Sequence, residues 1–186
     1  MTTPAQARYS TIAILLHWTL AVLITINLLI GFFHENMADE TRAFLMGQHF
    51  AIGLTVLFLT LVRIVWRLIH PVPPANPAHP GWERALAKAV HFLFYALLLA
   101  MPILGWLIVS TGRGNPISIF GLFEVSALPV ARDEATHDLY EELHELGGWA
   151  FVGLIALHVV GALKHHVVDK DSTLGRMIPI RSWRER

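Results

Sequence analysis

The chain has 186 residues, of which 54% are hydrophobic and only 15% are charged, and it has no cysteine. Soluble domains usually carry about 25% charged residues, so this composition indicates an integral membrane protein. The absence of cysteine excludes disulfides and thiolate-ligated metal or iron–sulfur sites, and a formal net charge of zero gives no reason to expect a nucleic acid partner.

Four apolar stretches follow one another along the chain, and each is long enough to cross a bilayer. They cover about residues 11–33, 44–68, 89–111 and 143–166. A membrane-spanning helix needs ~20 apolar residues, so the sequence predicts an all-α protein, a four-helix membrane bundle in one domain that spans residues 1–186. Between the second and third stretches, residues 70–81 contain five prolines and are expected to form a loop.

The segment between the third and fourth stretches, residues 112–142, is too polar to span a membrane. It contains an apolar patch, residues 117–123, which could lie at the membrane interface. Four spans place both termini on one side. If that side is cytoplasmic, eleven of the 14 lysines and arginines are inside, and only Arg42, Arg113 and Arg132 are outside. The positive-inside rule therefore predicts cytoplasmic termini.

Four histidines within these spans match in depth. His144 and His158 are separated by 14 residues, which places them on one face of a helix, ~21 Å apart along its axis. His17 in the first span lies at the depth of His158, and His49 at the start of the second lies at the depth of His144. Depth therefore pairs His17 with His158 near the inner surface, and His49 with His144 near the outer surface.

Paired imidazoles at two depths favour haem. Ionisable side chains inside a membrane are costly and usually functional, although a single histidine is often a hydrogen-bonded core group. A zinc site would need three or four convergent ligands. Two neutral imidazoles on one metal are instead an axial haem arrangement suited to electron transfer. We therefore expect two b-type haems between the helices, and glycines such as Gly147 would let a flat macrocycle approach the backbone.

Other polar residues near the inner surface are candidate cofactor contacts. Arg63 follows His49 by 14 residues and could bind a haem propionate, or it could extend with Arg67 toward the inner interface. His91 could hydrogen-bond a propionate or a quinone, or cap the interface. His165 could bind or protonate a quinone headgroup, although an interfacial role is also open.

An ordered set of these residues resembles the bacterial cytochrome b561 family. The set covers nearly the whole chain and includes His17-Trp18, His49, Arg63, Arg113-Gly114-Asn115-Pro116, His144, His158, His165-His166, Lys170-Asp171, Thr173-Leu174, Arg176-Met177 and Pro179. The short, free-standing form resembles the members described as superoxide oxidases. The resemblance implies two haem b groups with ligands on the first, second and fourth helices, a place in the bacterial inner membrane, and electron transfer from superoxide outside to ubiquinone.

Arg113 is the expected contact for superoxide, because it begins the outer loop and matches the family motif. One feature opposes this expectation: the outer segments carry ten acidic residues against three basic ones, and a negative face slows the approach of an anion.

Two alternatives remain open. The chain could be the cytochrome b subunit of a hydrogenase or dehydrogenase, or a conduit that receives electrons from a basic soluble redox protein docked on the acidic outer face. It could also be a small transporter that uses membrane histidines as a proton relay. The side on which a quinone binds is not determined by the sequence.

Overall fold

Four long helices make up most of the chain in the computed structural model, which describes residues 8–74 and 79–178. They are α1 (Thr11–Phe33), α2 (Asp39–Ile69), α3 (Gly81–Thr111) and α4 (Glu134–Val167). A 3₁₀ turn at His34–Asn36 joins α1 to α2, and another lies at Gly175–Met177. The all-α prediction is confirmed, and all four helices are long and apolar enough to cross a membrane. Residues 75–78 of the proline-rich loop, and Pro179 in the tail motif, lie outside the described residues.

The helices extend beyond the apolar stretches that predicted them. α1 has the predicted bounds, but α2, α3 and α4 start several residues earlier, in polar sequence. Capping explains the start of α4, because the Asp133 carboxylate accepts a hydrogen bond from the Thr136 backbone N–H at 2.9 Å. The apolar pattern therefore marks the part of each helix that suits the bilayer, and the helix itself continues into the aqueous layer.

Consecutive helices pack against each other: α1 on α2, α2 on α3 and α3 on α4. Their shared core is a cluster of apolar side chains from all four helices, which comprises Leu20, Ile30, Ile52, Val56, Leu98, Met101 and Phe151. Yet only 11–17% of the most hydrophobic window of each helix is buried inside the protein. Most of the apolar surface is therefore available to lipid and to bound groups.

The apolar patch in the outer loop forms a two-stranded antiparallel hairpin, β1 (Ile117–Ile119) and β2 (Phe123–Val125). Ile117 and Ile119 are buried while Ser118 is exposed, which is the alternation of a strand with one covered face. The two isoleucines pack against Ala51 of α2. The patch thus covers the outer half of the bundle, a role that the sequence pattern did not predict.

The segment after α4 folds back across the inner end of the bundle, the end that carries His17 and His158. The Trp18 indole N–H donates to the Met177 carbonyl at 2.7 Å, and Arg176 donates to the Pro74 carbonyl at 2.8 Å. Arg8 donates to the Ile178 carbonyl. These bonds fix the tail against the start of α1 and the loop that precedes α3.

Candidate functional sites

The inner histidine pair joins α1 to α4. The ring centres of His17 and His158 are 6.2 Å apart, and the ring planes are inclined by 66°. Phe94 of α3 packs edge-on against His158, with 5.5 Å between the ring centres. Although α1 and α4 are not among the closely packed helix pairs, their side chains bring these two imidazoles together.

The outer histidine pair joins α2 to α4 and repeats this geometry. The ring centres of His49 and His144 are 6.0 Å apart, with 69° between the planes. α4 thus contributes one histidine to each pair, and the structure brings together the same pairs that depth along the sequence predicted.

The spacing of both pairs fits two imidazoles on opposite sides of one metal ion. A metal–imidazole bond is about 2 Å long and a ring nitrogen lies about 1.2 Å from the ring centre, so two coaxial imidazoles have centres ~6 Å apart. The observed 6.2 and 6.0 Å match this value. The distance is too long for a direct hydrogen bond between the rings. It is that of an edge-to-face ring contact, and two imidazoles held at this spacing also fit ligation of haem.

Backbone groups orient the outer rings. The Nδ1 of His49 lies 3.2 Å from the Asn27 carbonyl oxygen, so the Nδ1–H donates to it and Nε2 keeps its lone pair for a metal. The Nδ1 of His144 is buried, and it has no hydrogen-bond partner among the described residues. The Met101 carbonyl lies beside this ring and would accept from Nδ1–H if Nε2 held a metal.

One glycine makes room for an outer ring. A Cβ on Gly31 would lie 3.3 Å from Cε1 of His49, which is closer than ordinary van der Waals contact, whereas a Cβ on Gly105 would lie at an ordinary 3.5 Å from Cε1 of His144. Gly147, which was predicted to let a flat macrocycle approach the backbone, lies against α3. A Cβ on Gly147 would collide with the Met101 sulfur, so this glycine permits close packing of α4 on α3.

A cavity of about 630 Å³ contains the outer pair. Its size falls within the range of about 300–1,000 Å³ that is typical of cofactor sites. The wall is mainly apolar and aromatic, and it includes Phe50, Trp106 and Trp149. Glu35, Glu141 and Glu145 also line it, so one part of its boundary is acidic. Arg113 is not part of this lining.

The inner pair has a third imidazole beside it. His91 of α3 lies 5.7 Å from His158 between ring centres and is exposed on the surface of the bundle. Arg63 donates to the Tyr95 hydroxyl at 3.1 Å and to the Ala13 carbonyl at 3.0 Å, and Arg67 lies over the Tyr95 ring at 5.9 Å. The two arginines are therefore gathered around Tyr95, and among the described residues neither is paired with a carboxylate.

The two candidate catalytic residues, Arg113 and His165, lie at opposite ends of the bundle. Arg113 is exposed in the turn after α3, where Gly114 has a φ of +65° that favours glycine. The Arg132 guanidinium packs directly on Gly114. At the other end, Nδ1 of His165 lies 2.8 Å from Asp169 and 3.4 Å from Asp171, and the ring stacks on that of His79.

A bundle of membrane-length helices with paired imidazoles at two depths defines a membrane cytochrome b. A family model described as "Prokaryotic cytochrome b561" matches residues 8–179. The chain belongs to the prokaryotic cytochrome b561 family, whose members are membrane electron-transfer proteins that bind b-type haem.

Individual relatives within this similarity carry different names. The chain is 36% identical to cytochrome b561 homolog 2 of Escherichia coli (strain K12), with 95% of this chain and 94% of the relative covered. It is 34% identical to a probable superoxide oxidase CybB of Yersinia pestis, with 92% and 96% covered. It is 26% identical to a probable Ni/Fe-hydrogenase B-type cytochrome subunit of Rhodobacter capsulatus, with 87% and 75% covered.

Several residues at these sites were not predicted from the sequence. Asn27, Gly31, Tyr95 and Gly105 act through contacts with other helices, which periodicity within one helix does not show. Gly31 and Gly105 lie on spans one and three. A search for glycines on neighbouring spans at the same depth as the ligand histidines could have identified them.

Replacing Gly31 with valine is expected to displace the His49 ring, because even a Cβ would lie 3.3 Å from it. Gly153→Val on α4 is the matched control, since a Cβ there has no neighbour within 4 Å. The haem-to-protein ratio of the purified variants is the measurement. We expect Gly31→Val to lose about half of the haem that Gly153→Val keeps, and equal ratios would contradict the role assigned to Gly31.

Proposed function

We propose that this chain is a two-haem cytochrome b in which His17 and His158 hold the inner haem and His49 and His144 hold the outer one. The observation that carries the proposal is the ~6 Å separation of both ring pairs. Haem b, when bound, would supply reversible one-electron chemistry, and two histidine ligands on each haem would favour electron transfer over oxygen binding.

The protein's own residues have distinct roles in this arrangement. The Asn27 carbonyl sets the tautomer and orientation of His49. At the inner end, the Tyr95 hydroxyl and the Ala13 carbonyl hold Arg63 in place. A partly buried guanidinium without a carboxylate partner attracts an anionic group, so Arg63 is assigned to a haem propionate. The positive-inside distribution of charge supports cytoplasmic termini and thus an inner end that faces the cytoplasm.

The proposed reaction transfers electrons from superoxide to ubiquinone. Two superoxide anions each lose one electron and leave as O₂, while one quinone gains two electrons and two protons and becomes a quinol. The similarity to a probable superoxide oxidase supports this reaction, because it covers nearly the full length of both chains. The hydrogenase subunit, by comparison, has a quarter of its length outside the match.

A local positive patch supports the approach of superoxide. The Arg132 guanidinium packs on Gly114, the residue after Arg113, and Arg113 has no ion pair within residues 8–74 and 79–178. Arg42, the third basic residue of the outer side, is paired with Asp39 at 2.5 Å. The attraction of an anion to the outer side therefore depends mainly on Arg113 and Arg132.

The quinone is assigned to the inner half, beside His91. Ubiquinone reaches its site through the lipid, and His91 is exposed on α3 with its ring 5.7 Å from that of His158. Arg67 lies on the neighbouring helix beside Tyr95 and is a second candidate contact. His165 lies seven residues beyond His158, or ~10 Å further along α4, and is assigned to proton supply from the inner aqueous side.

A second candidate function is electron transfer from a docked protein. Glu35, Glu141 and Glu145 line the cavity around the outer pair, and an acidic boundary suits a partner with a basic surface. The similarity to hydrogenase cytochrome subunits supports this candidate as well. Both functions use the same histidine pairs and differ in the electron donor.

Stopped-flow mixing of the purified, oxidised protein with superoxide, in the absence of any partner, separates the two functions. We expect the haem absorption to change to the reduced form faster than superoxide disappears by spontaneous dismutation, and added superoxide dismutase should abolish the change. Haem that stays oxidised would contradict superoxide as the donor and favour a docked protein.

Arg113→Gln is expected to slow this reduction severalfold, whereas Arg42→Gln should leave it nearly unchanged. Both variants lose one positive charge on the outer side, but the Arg42 charge is already paired with Asp39. For the wild type, raising the ionic strength from ~0.01 M to ~0.15 M shortens the Debye length from about 30 Å to about 8 Å and should slow the reaction. An acceleration by salt would show that the net negative face dominates and would contradict the role of Arg113.

His158→Ala is expected to remove the inner haem and quinone reduction, while the outer haem remains reducible by dithionite. His91→Ala should keep both haems, because His91 is assigned to the quinone. Haem content and reduced-minus-oxidised spectra measure both effects. Two haems in His158→Ala, or one haem in His91→Ala, would contradict the pairing of His17 with His158.

A further inference from the structure

Four side chains with metal-binding atoms converge at the inner end, away from both histidine pairs. They are His79, His165, Asp169 and Asp171, and one ligand atom from each lies within 4.8 Å of all the others. They come from three separate parts of the chain: the loop before α3, the last turn of α4 and the turn that follows α4. We propose that these four side chains form a binding site for one divalent transition-metal ion of the zinc class.

The contacts within this inner cluster resemble the edges of a small coordination polyhedron. His79 Nε2 lies 2.5 Å from Asp171 Oδ2, and His165 Nδ1 lies 2.8 Å from Asp169 Oδ2 and 3.4 Å from Asp171 Oδ2. Ligands held tetrahedrally at ~2.0 Å from zinc are ~3.3 Å apart. Only small rotations of the side chains would therefore admit the ion.

The buried Nδ1 of His165 faces both carboxylates. It lies 2.8 Å from Asp169 Oδ2 and 3.4 Å from Asp171 Oδ2, and its angle to these oxygens is not that of a regular hydrogen bond. The ring stacks on that of His79, with centres 4.2 Å apart and planes 21° apart. Two stacked imidazoles that face two carboxylates give a set of two nitrogen and two oxygen donors, which suits zinc and its neighbours better than calcium or magnesium.

Both carboxylates are charged at neutral pH. Burial raises the pKa of Asp171, but hydrogen bonds from the Thr173 hydroxyl and backbone N–H and from His79 outweigh it and hold the pKa at about 2. The hydrogen bond from Lys164 lowers the pKa of Asp169. The carboxylates therefore need no deprotonation before they bind a cation.

Surrounding groups hold the ligands in place. The Thr173 N–H donates to Asp171 Oδ1 at 2.7 Å, which leaves Oδ2 directed at the two histidines. The Thr173 contact is of the kind that orients ligands in metal sites. Lys164 joins Glu83 at 2.6 Å and Asp169 Oδ2 at 3.0 Å, so a metal ion at this oxygen would displace the ammonium toward Glu83. A bound ion would fasten the loop before α3 and the tail to the end of α4.

Titration of Zn²⁺ into the tag-free, haem-loaded protein tests the inference by calorimetry, after treatment with a chelator. We expect saturable binding of one ion per chain. Asp171→Asn and His79→Gln should each weaken it by about tenfold or more. Asp39→Asn is the matched control, because its carboxylate lies at the far end of the bundle beside Arg42 and should not affect binding.

Haem spectra and thermal unfolding of each variant show whether the fold is kept. X-ray absorption at the zinc edge of the wild type gives a readout that does not depend on any variant: we expect mixed imidazole and carboxylate ligands at ~2.0 Å. Absence of saturable binding, equal affinity in Asp171→Asn and the wild type, or a shell without imidazole would overturn the proposal. The proposed haem ligands would be unaffected by such a result, since they are other histidines. The proton supply assigned to His165 is the one part of the proposed function that a bound ion would alter, because a nitrogen that holds a metal does not carry a proton.

Discussion

The approach of two imidazoles across a gap between helices is the constraint on which the rest of the molecule depends. Each pair joins α4 to a helix that it does not pack against closely, α1 at the inner end and α2 at the outer end. Close packing of α1 with α4 or of α2 with α4 would remove the space between the rings. The consecutive pairs α1–α2, α2–α3 and α3–α4 therefore supply the packing, and α4 supplies one ligand to each pair.

This separation of the packed helix pairs from the histidine-joined helix pairs explains features that would be unfavourable in an ordinary helix bundle. The bundle buries little of its apolar surface, and it contains a cavity of about 630 Å³. Both are costly in a helix bundle stabilised by packing alone. Together they are expected if lipid covers the outside and a planar cofactor fills the inside. Gly31 fits the same arrangement, because it keeps a Cβ atom away from the His49 ring.

The sequence predicted those features of the fold and the site that depend on the pattern within a single helix. Apolar length identified the four spans, and the offset between His144 and His158 fixed the two depths from which the pairs follow. Contacts between distant segments were not accessible in this way. The hairpin at Ile117–Ile119 packs on Ala51, and His165 meets His79 from the loop before α3. Both contacts depend on how distant segments of the chain fold onto each other, and apolar periodicity within one segment does not predict such contacts.

Low-temperature electron paramagnetic resonance of the oxidised protein, calibrated against haem and protein concentration, reports whether four histidines hold two haems. Two imidazoles on each iron would give a strong ligand field. We therefore expect two low-spin ferric haems per chain and no high-spin signal. A single haem per chain, or a high-spin signal from either centre, would contradict the assignment of four histidines to two axial pairs.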